Sequence, residues 1–383
     1  DEFYLEVSLN RLSALVLFFI NLFGLLVCVF ARDYSYPRRV YFPCLLWLIA
    51  FSNLILLAAD FILFAFAWGA TLPILYIMLA RESGLGARKA LAVVGMADFA
   101  LLLGSCLYIV FTNSTVMPHG AGLAVMLDNP LKWFCFVLML TGALAKAGCG
   151  PFHTWIPAAS EGASMPTMAI LPASLDKLLG IYLLTRICLD FFVLTSAATA
   201  LLLIVGSLTI LFAVVMALVQ HDLRKLLSYH AISQVGYMVV GFGTAIPLGI
   251  AGGFLHMINH ALYKSGLFLS GGAVEQQKKT FDLEKLGGLA RFMPVTFACA
   301  LVVSLSISGI PPFNGFASKW MLYQAMLEGL SGAGNPYLRF VFLFALVAAM
   351  FGSALTLASF IKFIHAVFLG QNNSTNRMMP TES

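Results

Sequence analysis

Charged residues are scarce in this chain: only 10% of its 383 residues are Asp, Glu, Lys or Arg, against about 25% in soluble domains. Hydrophobic residues make up 61%, whereas soluble domains contain about 45–50%. This balance excludes a soluble globular protein. The formal net charge of +5 does not indicate nucleic-acid binding, because the basic residues are scattered through short loops and form no continuous patch.

Signatures of cofactor and metal binding are also missing. The seven cysteines form no CxxC pair and none lies beside a histidine at metal-ligand spacing, so we interpret them as small buried hydrophobic residues. GxGxxG, P-loop and GxSxG motifs are absent, and no His or Cys cluster suits haem or an iron-sulfur cluster. We therefore expect no catalytic residue, cofactor or metal in this chain.

Apolar runs repeat along the whole chain, each long enough to cross a hydrocarbon core about 30 Å thick. Together with the helix-breaking residues they predict an all-α integral membrane protein with one transmembrane domain. The basic residues concentrate in loops on one side, for example at 32–39, 81–89 and 278–291, which places the N-terminal end outside. Eleven passages are predicted, near residues 9–31, 41–59, 61–80, 90–111, 131–159, 166–193, 196–219, 228–246, 248–273, 293–328 and 337–368.

In the segment 142–180, Lys146 and Lys177 lie within apolar stretches that are predicted to be helical. Glycines and prolines between the two lysines interrupt the helix. A lysine at the bilayer centre costs about 2.5–3.5 kcal/mol on insertion scales, so it needs a partner or water. Broken helix at membrane depth is tolerated only where protein or a wet cavity covers the freed backbone groups. The combination indicates an internal path for charge.

A second Gly/Pro break, at 309–313, follows the first break, at 148–152, after five helices. A repeated unit with an odd number of helices is inserted upside down the second time, as in many secondary transporters. The sequence thus predicts a leading helix in residues 1–40, a first five-helix repeat in 41–193, an inverted second repeat in 194–370 and a polar tail in 371–383.

A third polar group lies at His256, His260 and Lys264, whose i, i+4, i+8 spacing places them on one helix face. Histidine binds and releases protons near neutral pH, so this stripe is suited to a proton relay. Interhelical hydrogen bonding by each histidine is the alternative. A zinc site is a third option, although no further ligand is evident nearby.

Lys146, Lys177, Lys264 and Lys319 occur once each in four separate passages. If the passages pack into one bundle, these lysines form a row across the middle of the protein. The alternative is that their long side chains extend toward the membrane surface.

Acidic partners for the lysines are few. Asp98 is the best candidate counter-ion, while Asp60 fits an interfacial turn. Asp176 is adjacent to Lys177, and we expect the two to point to different faces.

Five segments are recognisable as a set: GPFHTWIPAA after Lys146, LDKLLGIYLL around Lys177, HDLRKLLSYHAISQVGYM, HMINHALYKSGLFLSGG and SGIPPFNGFASKW. Over about residues 13–368 the chain resembles the antiporter-like membrane subunits of respiratory complex I. The same subunit type recurs in membrane-bound hydrogenases, formate hydrogenlyase and multisubunit cation/proton antiporters.

The resemblance implies a fold of about fourteen helices built on two inverted five-helix repeats, of which this chain matches the third to the thirteenth. It also implies functional roles for six of the side chains discussed above: Lys146, Lys177, His256, His260, Lys264 and Lys319. One departure is Gly69, directly after Trp68, where the family usually has a glutamate that pairs with the lysine equivalent to Lys146. Asp98 is our candidate to replace it.

These observations favour a non-catalytic subunit that translocates protons, or sodium, within a redox-driven complex of the complex I or membrane-bound hydrogenase type. Other membrane subunits and a peripheral redox arm would be its partners, and iron-sulfur, flavin or NiFe centres would lie in those partners. A cation/proton antiporter without redox partners is the alternative, and an inert scaffold is a third possibility motivated by Gly69. We expect a bacterial or archaeal inner membrane.

Overall fold

Helices account for nearly all of the computed structural model, which describes residues 6–34, 38–120 and 124–371. Apart from Gln371, the predicted polar tail lies outside these residues. A two-residue parallel pair joins β1 (Val125–Met126) to β2 (Phe192–Val193). The helices are α1 (Arg11–Ala31), α2 (Arg38–Leu57), α3 (Phe61–Ala80), α4 (Gly84–Thr112), α5 (Pro130–Ala147), α6 (Trp155–Ser160), α7 (Met165–Phe191), α8 (Ser196–Leu218), α9 (Leu223–Gly243), α10 (Pro247–Lys278), α11 (Pro294–Ser308), α12 (Asn314–Gly332) and α13 (Pro336–Leu369).

Polar side chains at the ends of the apolar runs fix where several helices begin. The Asp60 carboxylate accepts hydrogen bonds from the backbone N–H groups of Ile62 and Leu63, at 2.9 and 2.7 Å, and so caps α3. Asn10 caps α1 in the same way, and Asp222 caps α9. The expectation that Asp60 sits at a turn agrees with this capping role.

The described chain contains eight helices that are long and apolar enough to cross a membrane by themselves, namely α1 to α5, α7, α8 and α13. Helices α9, α10 and α12 are not in this group because polar residues interrupt their apolar runs, and α10 and α12 contain predicted site residues. The all-α membrane fold is confirmed, and helix is present at each of the predicted passages. The number of eleven passages stays a prediction, as do the repeat boundaries.

Contacts between loops join helix ends that the predicted topology assigns to the same side of the membrane. At the predicted outer end, isolated bridges pair Val7 with Ala58 and Asp60 with Val116. At the predicted inner end, Asp222 pairs with Asp282. Because each pair joins ends that the topology assigns to the same side, the alternating order of the helices is consistent through the described chain.

At both predicted breaks the helix ends with the same backbone conformation. Helix α5 ends at Gly148 with φ +74°, and α11 ends at Gly309 with φ +79°, both in the left-handed region that favours glycine. A Cβ on Gly148 would lie 2.1 Å from the Ile156 side chain, and one on Gly309 would lie 2.9 Å from Lys319 Cδ. Both passages therefore stop partway and resume, as α6 and as α12.

Helices α8 and α9 approach closely at a pair of glycines. A Cβ on Gly236 would lie 2.5 Å from the Gly206 carbonyl oxygen, and one on Gly206 would lie 2.8 Å from the Gly236 carbonyl oxygen. Small residues at such crossings allow two backbones to pack directly together in a membrane. This contact fixes the position of α9, which contacts Lys264, His256 and Lys319 of the candidate site.

We predict that Gly236→Ala lowers the free energy of unfolding by about 1–3 kcal/mol, because the added methyl group must push two backbones apart. The midpoint of thermal unfolding in detergent measures this loss. Gly332→Ala is the matched control, since nothing lies within 4 Å of a Cβ at that helix end. An equal loss in the control would contradict the packing argument.

Candidate ion pathway

All of the predicted lysines and histidines of the path are buried. The four lysines are 0–2% exposed, and His256 and His260 are 0% exposed. None of the four lysines extends to the membrane surface, so that alternative interpretation is wrong. Partners inside the protein must therefore stabilise these groups.

Lys146 is held by residues of α3 and α7. Its ammonium donates a hydrogen bond to Thr71 Oγ1 at 2.5 Å and lies 3.7 Å from the Asp176 carboxylate. It also lies 5.3 Å from the centre of the Trp68 ring, within the range of a cation–π contact. Apart from this ion pair, neither oxygen of Asp176 has a hydrogen-bond partner among the described residues.

The direct ion pair of Lys146 is therefore with Asp176, while Asp98, the expected counter-ion, interacts with Lys146 electrostatically at longer range. Asp176 follows a π turn at Leu171–Leu175. A π turn adds one residue to a turn and so rotates the helix faces that follow it. The turn rotates Asp176 and Lys177 together, so their side chains still point in directions about 100° apart, as expected. Both are buried because every residue of the helix segment 176–186 is surrounded by protein.

Asp98 is connected to Lys146 through the side chain of Trp68. Its carboxylate accepts a hydrogen bond from Trp68 Nε1 at 2.7 Å, and Trp68 in turn lies against Lys146. A cavity of about 190 Å³ adjoins the Asp98 carboxylate and is also lined by Trp68, Gly69 and Ser105. Gly69 leaves this space open, because a Cβ there would meet nothing within 4 Å.

Lys177 and Lys319 each bind the backbone at a helix break. Lys177 donates to the Ala147 carbonyl at 2.7 Å, and Lys319 donates to the Ile307 carbonyl at 2.9 Å. These carbonyls lie at the C-terminal ends of α5 and α11, where the helix dipole is negative and hydrogen-bond partners are missing. Both breaks are thus stabilised by an ammonium group that another helix segment supplies.

Helix α10 presents its polar stripe to two neighbours, α9 and α12. Lys264 donates to the Leu227 carbonyl of α9 at 2.7 Å. His256 is bonded to Ser318 of α12 at 2.9 Å through Nδ1 and to Gln234 of α9 at 3.2 Å through Nε2. The stripe therefore connects α9 to the helix that follows the second break.

His260 lies at the middle of this stripe. Both of its ring nitrogens are buried without a hydrogen bond to any described residue; the Ala173 carbonyl is close, but outside hydrogen-bonding geometry. Lys177 and Lys264 both act on it electrostatically. Its position between two lysines agrees with the predicted row.

The described residues contain no group of three His, Cys, Asp or Glu side chains that could hold a metal ion. The third ligand that a zinc site at His256 and His260 would need is therefore missing from this part of the chain.

Sequence reasoning missed several members of the site. Asp176 was discounted, and Gln234, Tyr263 and Tyr237 were not considered. Tyr263 Oη lies 3.4 Å from His256 Nε2, and the Tyr237 ring centre lies 4.9 Å from the Lys319 ammonium. A polar residue in each turn of an otherwise apolar helix, as in α9, was the available signal.

Comparison with known proteins identifies a family that matches most of the chain. A family model described as "NADH:quinone oxidoreductase/Mrp antiporter, TM" matches residues 58–334. The chain is 32% identical over 368 residues to a probable K(+)/H(+) antiporter protein of Rhizobium meliloti, covering 92% of this chain and 35% of the relative. It is 29% identical over 381 residues to an NADH-quinone oxidoreductase protein of Rickettsia felis, covering 96% and 56%.

Among solved structures, the Mrp complex from a Dietzia species matches with a TM-score of 0.83 and 27% identity, covering 97% of this chain and 68% of that chain. The chain spans between about a third and just over half of the length of the two curated relatives.

We predict that Asp176→Asn lowers the free energy of unfolding by about 3–5 kcal/mol, because it leaves a buried ammonium without its counter-ion. Asp98→Asn, the matched control, should cost less, since Asp98 bonds a neutral indole rather than the lysine. Thermal unfolding of the purified variants measures the difference. Lys146→Met combined with Asp176→Asn should recover part of the loss, and a larger loss in Asp98→Asn would contradict the assignment.

Proposed function

The chain belongs to the NADH:quinone oxidoreductase/Mrp antiporter transmembrane family, and from that premise we propose that it is an ion-translocating subunit of a larger membrane complex. It is an integral multi-pass membrane protein, and the relatives compared above are bacterial. The observation that supports translocation most directly is the buried row itself. Four ammonium groups and two histidines lie inside the bundle, where a purely structural core would be apolar, and two of the lysines bind the helix breaks.

The proposed path follows the contacts of the row. It begins at the Lys146–Asp176 pair, with Asp98 behind Trp68, and continues through Lys177 to His260 and Lys264. It ends at His256 and Lys319 beside the second break.

Protons suit this path better than sodium. Lys177, Lys264 and Lys319 donate to backbone carbonyls, which hold an ammonium without taking its proton. The groups between them that can accept a proton are imidazoles, which can bind and release a proton at a ring nitrogen. A change in charge near one lysine would alter its affinity for the proton and pass along the row by electrostatic coupling.

We assign the driving reaction to a redox complex in which partner subunits hold iron-sulfur, flavin or NiFe centres and this chain holds none. The NADH-quinone oxidoreductase relative supports this assignment. The alternative is a multisubunit cation/proton antiporter without redox partners, which the antiporter relative and the Mrp complex support. An inert scaffold is less well supported, because Asp176 supplies the acid that Gly69 lacks.

Lys319→Arg tests the path. Arginine keeps the positive charge at the second break but does not release its proton at physiological pH. We expect normal assembly and a loss of proton translocation of about 100-fold or more in proteoliposomes of the whole complex. The control is Lys132→Ala, which removes a lysine paired with exposed Asp128 outside the row. Translocation at the wild-type rate in Lys319→Arg would refute the proposed function.

Copurification tests the driving reaction. Purification of the tagged chain in mild detergent should yield soluble-arm subunits that contain iron-sulfur clusters, flavin or nickel, measured by metal analysis and absorbance. A heteromer made only of membrane subunits would overturn the redox assignment and support the antiporter alternative.

A further inference from the structure

One face of α9 contacts the second half of the row. Leu227, His230, Gln234 and Tyr237 lie at i, i+3, i+7 and i+10 and therefore share this face. The Leu227 carbonyl binds Lys264, Gln234 binds His256, and the Tyr237 ring lies beneath Lys319. We call these four residues the α9 stripe. His230 is its remaining member, and none of the steps described above uses it.

His230 is completely buried and is held in one orientation. Its Nε2 lies 2.7 Å from Ser359 Oγ of α13, and its ring centre lies 4.7 Å from that of Phe360. The Phe360 ring centre also lies 5.6 Å from the Lys264 ammonium, so both groups contact the same aromatic side chain. Nδ1 of His230 has no hydrogen-bond partner among the residues that the structure describes.

The position of His230 is intermediate between two lysines. Along α9 it lies three residues after the acceptor of Lys264, or about 4.5 Å along the helix axis. It lies seven residues before Tyr237, which supports Lys319, or about 10.5 Å along the axis. Both lysines act on His230 electrostatically, and in the described chain no carboxylate lies within 4 Å of either ammonium.

A structural role alone does not account for this arrangement. Buried polar atoms are bonded in the large majority of cases, and a histidine kept only for packing would be expected to satisfy both nitrogens. Here one nitrogen is anchored and the other is left open in a region that contains two long lysine side chains. An apolar residue would pack against Phe360 without leaving an unpaired nitrogen.

We propose that His230 carries the proton between Lys264 and Lys319, an inference that rests on the proposed function. The Lys264 ammonium releases one proton to Nδ1 of His230, which leaves a neutral amine and forms an imidazolium. The imidazolium then releases one proton to the neutral amine of Lys319 and returns to its initial charge. One proton is transferred in each step, and neither an oxidant nor a reductant is needed.

Helix α13 positions this carrier. Ser359 fixes the ring of His230. Six residues earlier, Ser353 lies 2.9 Å from the Tyr237 hydroxyl, which donates to the Ala349 carbonyl at 2.7 Å. The two sets of contacts hold both ends of the transfer on the same pair of helices. Ser359 is therefore a positioning residue.

His230→Gln and His230→Phe test the proposal in the whole complex. Glutamine keeps a hydrogen-bonding group toward Ser359, phenylalanine keeps the ring against Phe360, and neither binds a proton. We expect both variants to assemble and to lose proton translocation by about 100-fold or more. His221→Asn, a change at an exposed histidine paired with Glu284, is the matched control and should keep the wild-type rate and pH profile.

Lys319→Arg, measured alongside, separates this inference from the proposed function. Wild-type rates in both His230 variants, with Lys319→Arg inactive, would overturn the role of His230 and leave the proposed function standing. Wild-type rates in all three variants would overturn both.

Ser359→Ala tests the role of His230 if the His230 variants do not assemble. It keeps the imidazole but frees its orientation, so the rate should fall by less than in a His230 variant and its pH profile should shift. An unchanged rate and pH profile in Ser359→Ala would overturn the proposal.

Discussion

The burial of four ammonium groups in a lipid-embedded bundle is the constraint on which the rest of the structure depends. Each group needs an acceptor, and in regular helices the backbone carbonyls are already used. The two helix breaks resolve this conflict for two of the four groups, because the last turns of α5 and α11 expose carbonyls that Lys177 and Lys319 bind. The breaks and the lysines are therefore mutually dependent: each satisfies groups that would otherwise be buried without partners.

The two halves of the row solve the same problem with different chemistry. In the first half, Lys146 has a carboxylate partner in Asp176 and a further acid nearby in Asp98. In the second half, the described residues provide aromatic rings and imidazoles around Lys264 and Lys319 rather than acids. An ammonium beside a carboxylate is stabilised in place, whereas one beside a ring and a carbonyl is free to lose its proton when its surroundings change.

Much of this organisation was predictable from the sequence. The lysines and the HxxxHxxxK pattern stand out because charge is rare in the apolar runs, and the Gly/Pro clusters mark both breaks. The partner of Lys146 was not predictable, because the sequence does not show which face of α7 packs against α5. His230 was also missed. A single histidine in a mostly apolar helix cannot be recognised as a site residue until the packing of α13 and α10 around it is known.

Coupling of the row to a distant reaction requires a part of the fold that can shift and change several contacts together. The start of α12 meets this requirement. Asn314 and Asn259 of α10 exchange hydrogen bonds at 2.8 and 2.9 Å, and Ser318, bonded to His256, lies one turn further along. Lys319 is the next residue. A small displacement of α12 against α10 would therefore alter the hydrogen bond of His256 and the position of Lys319 in the same movement.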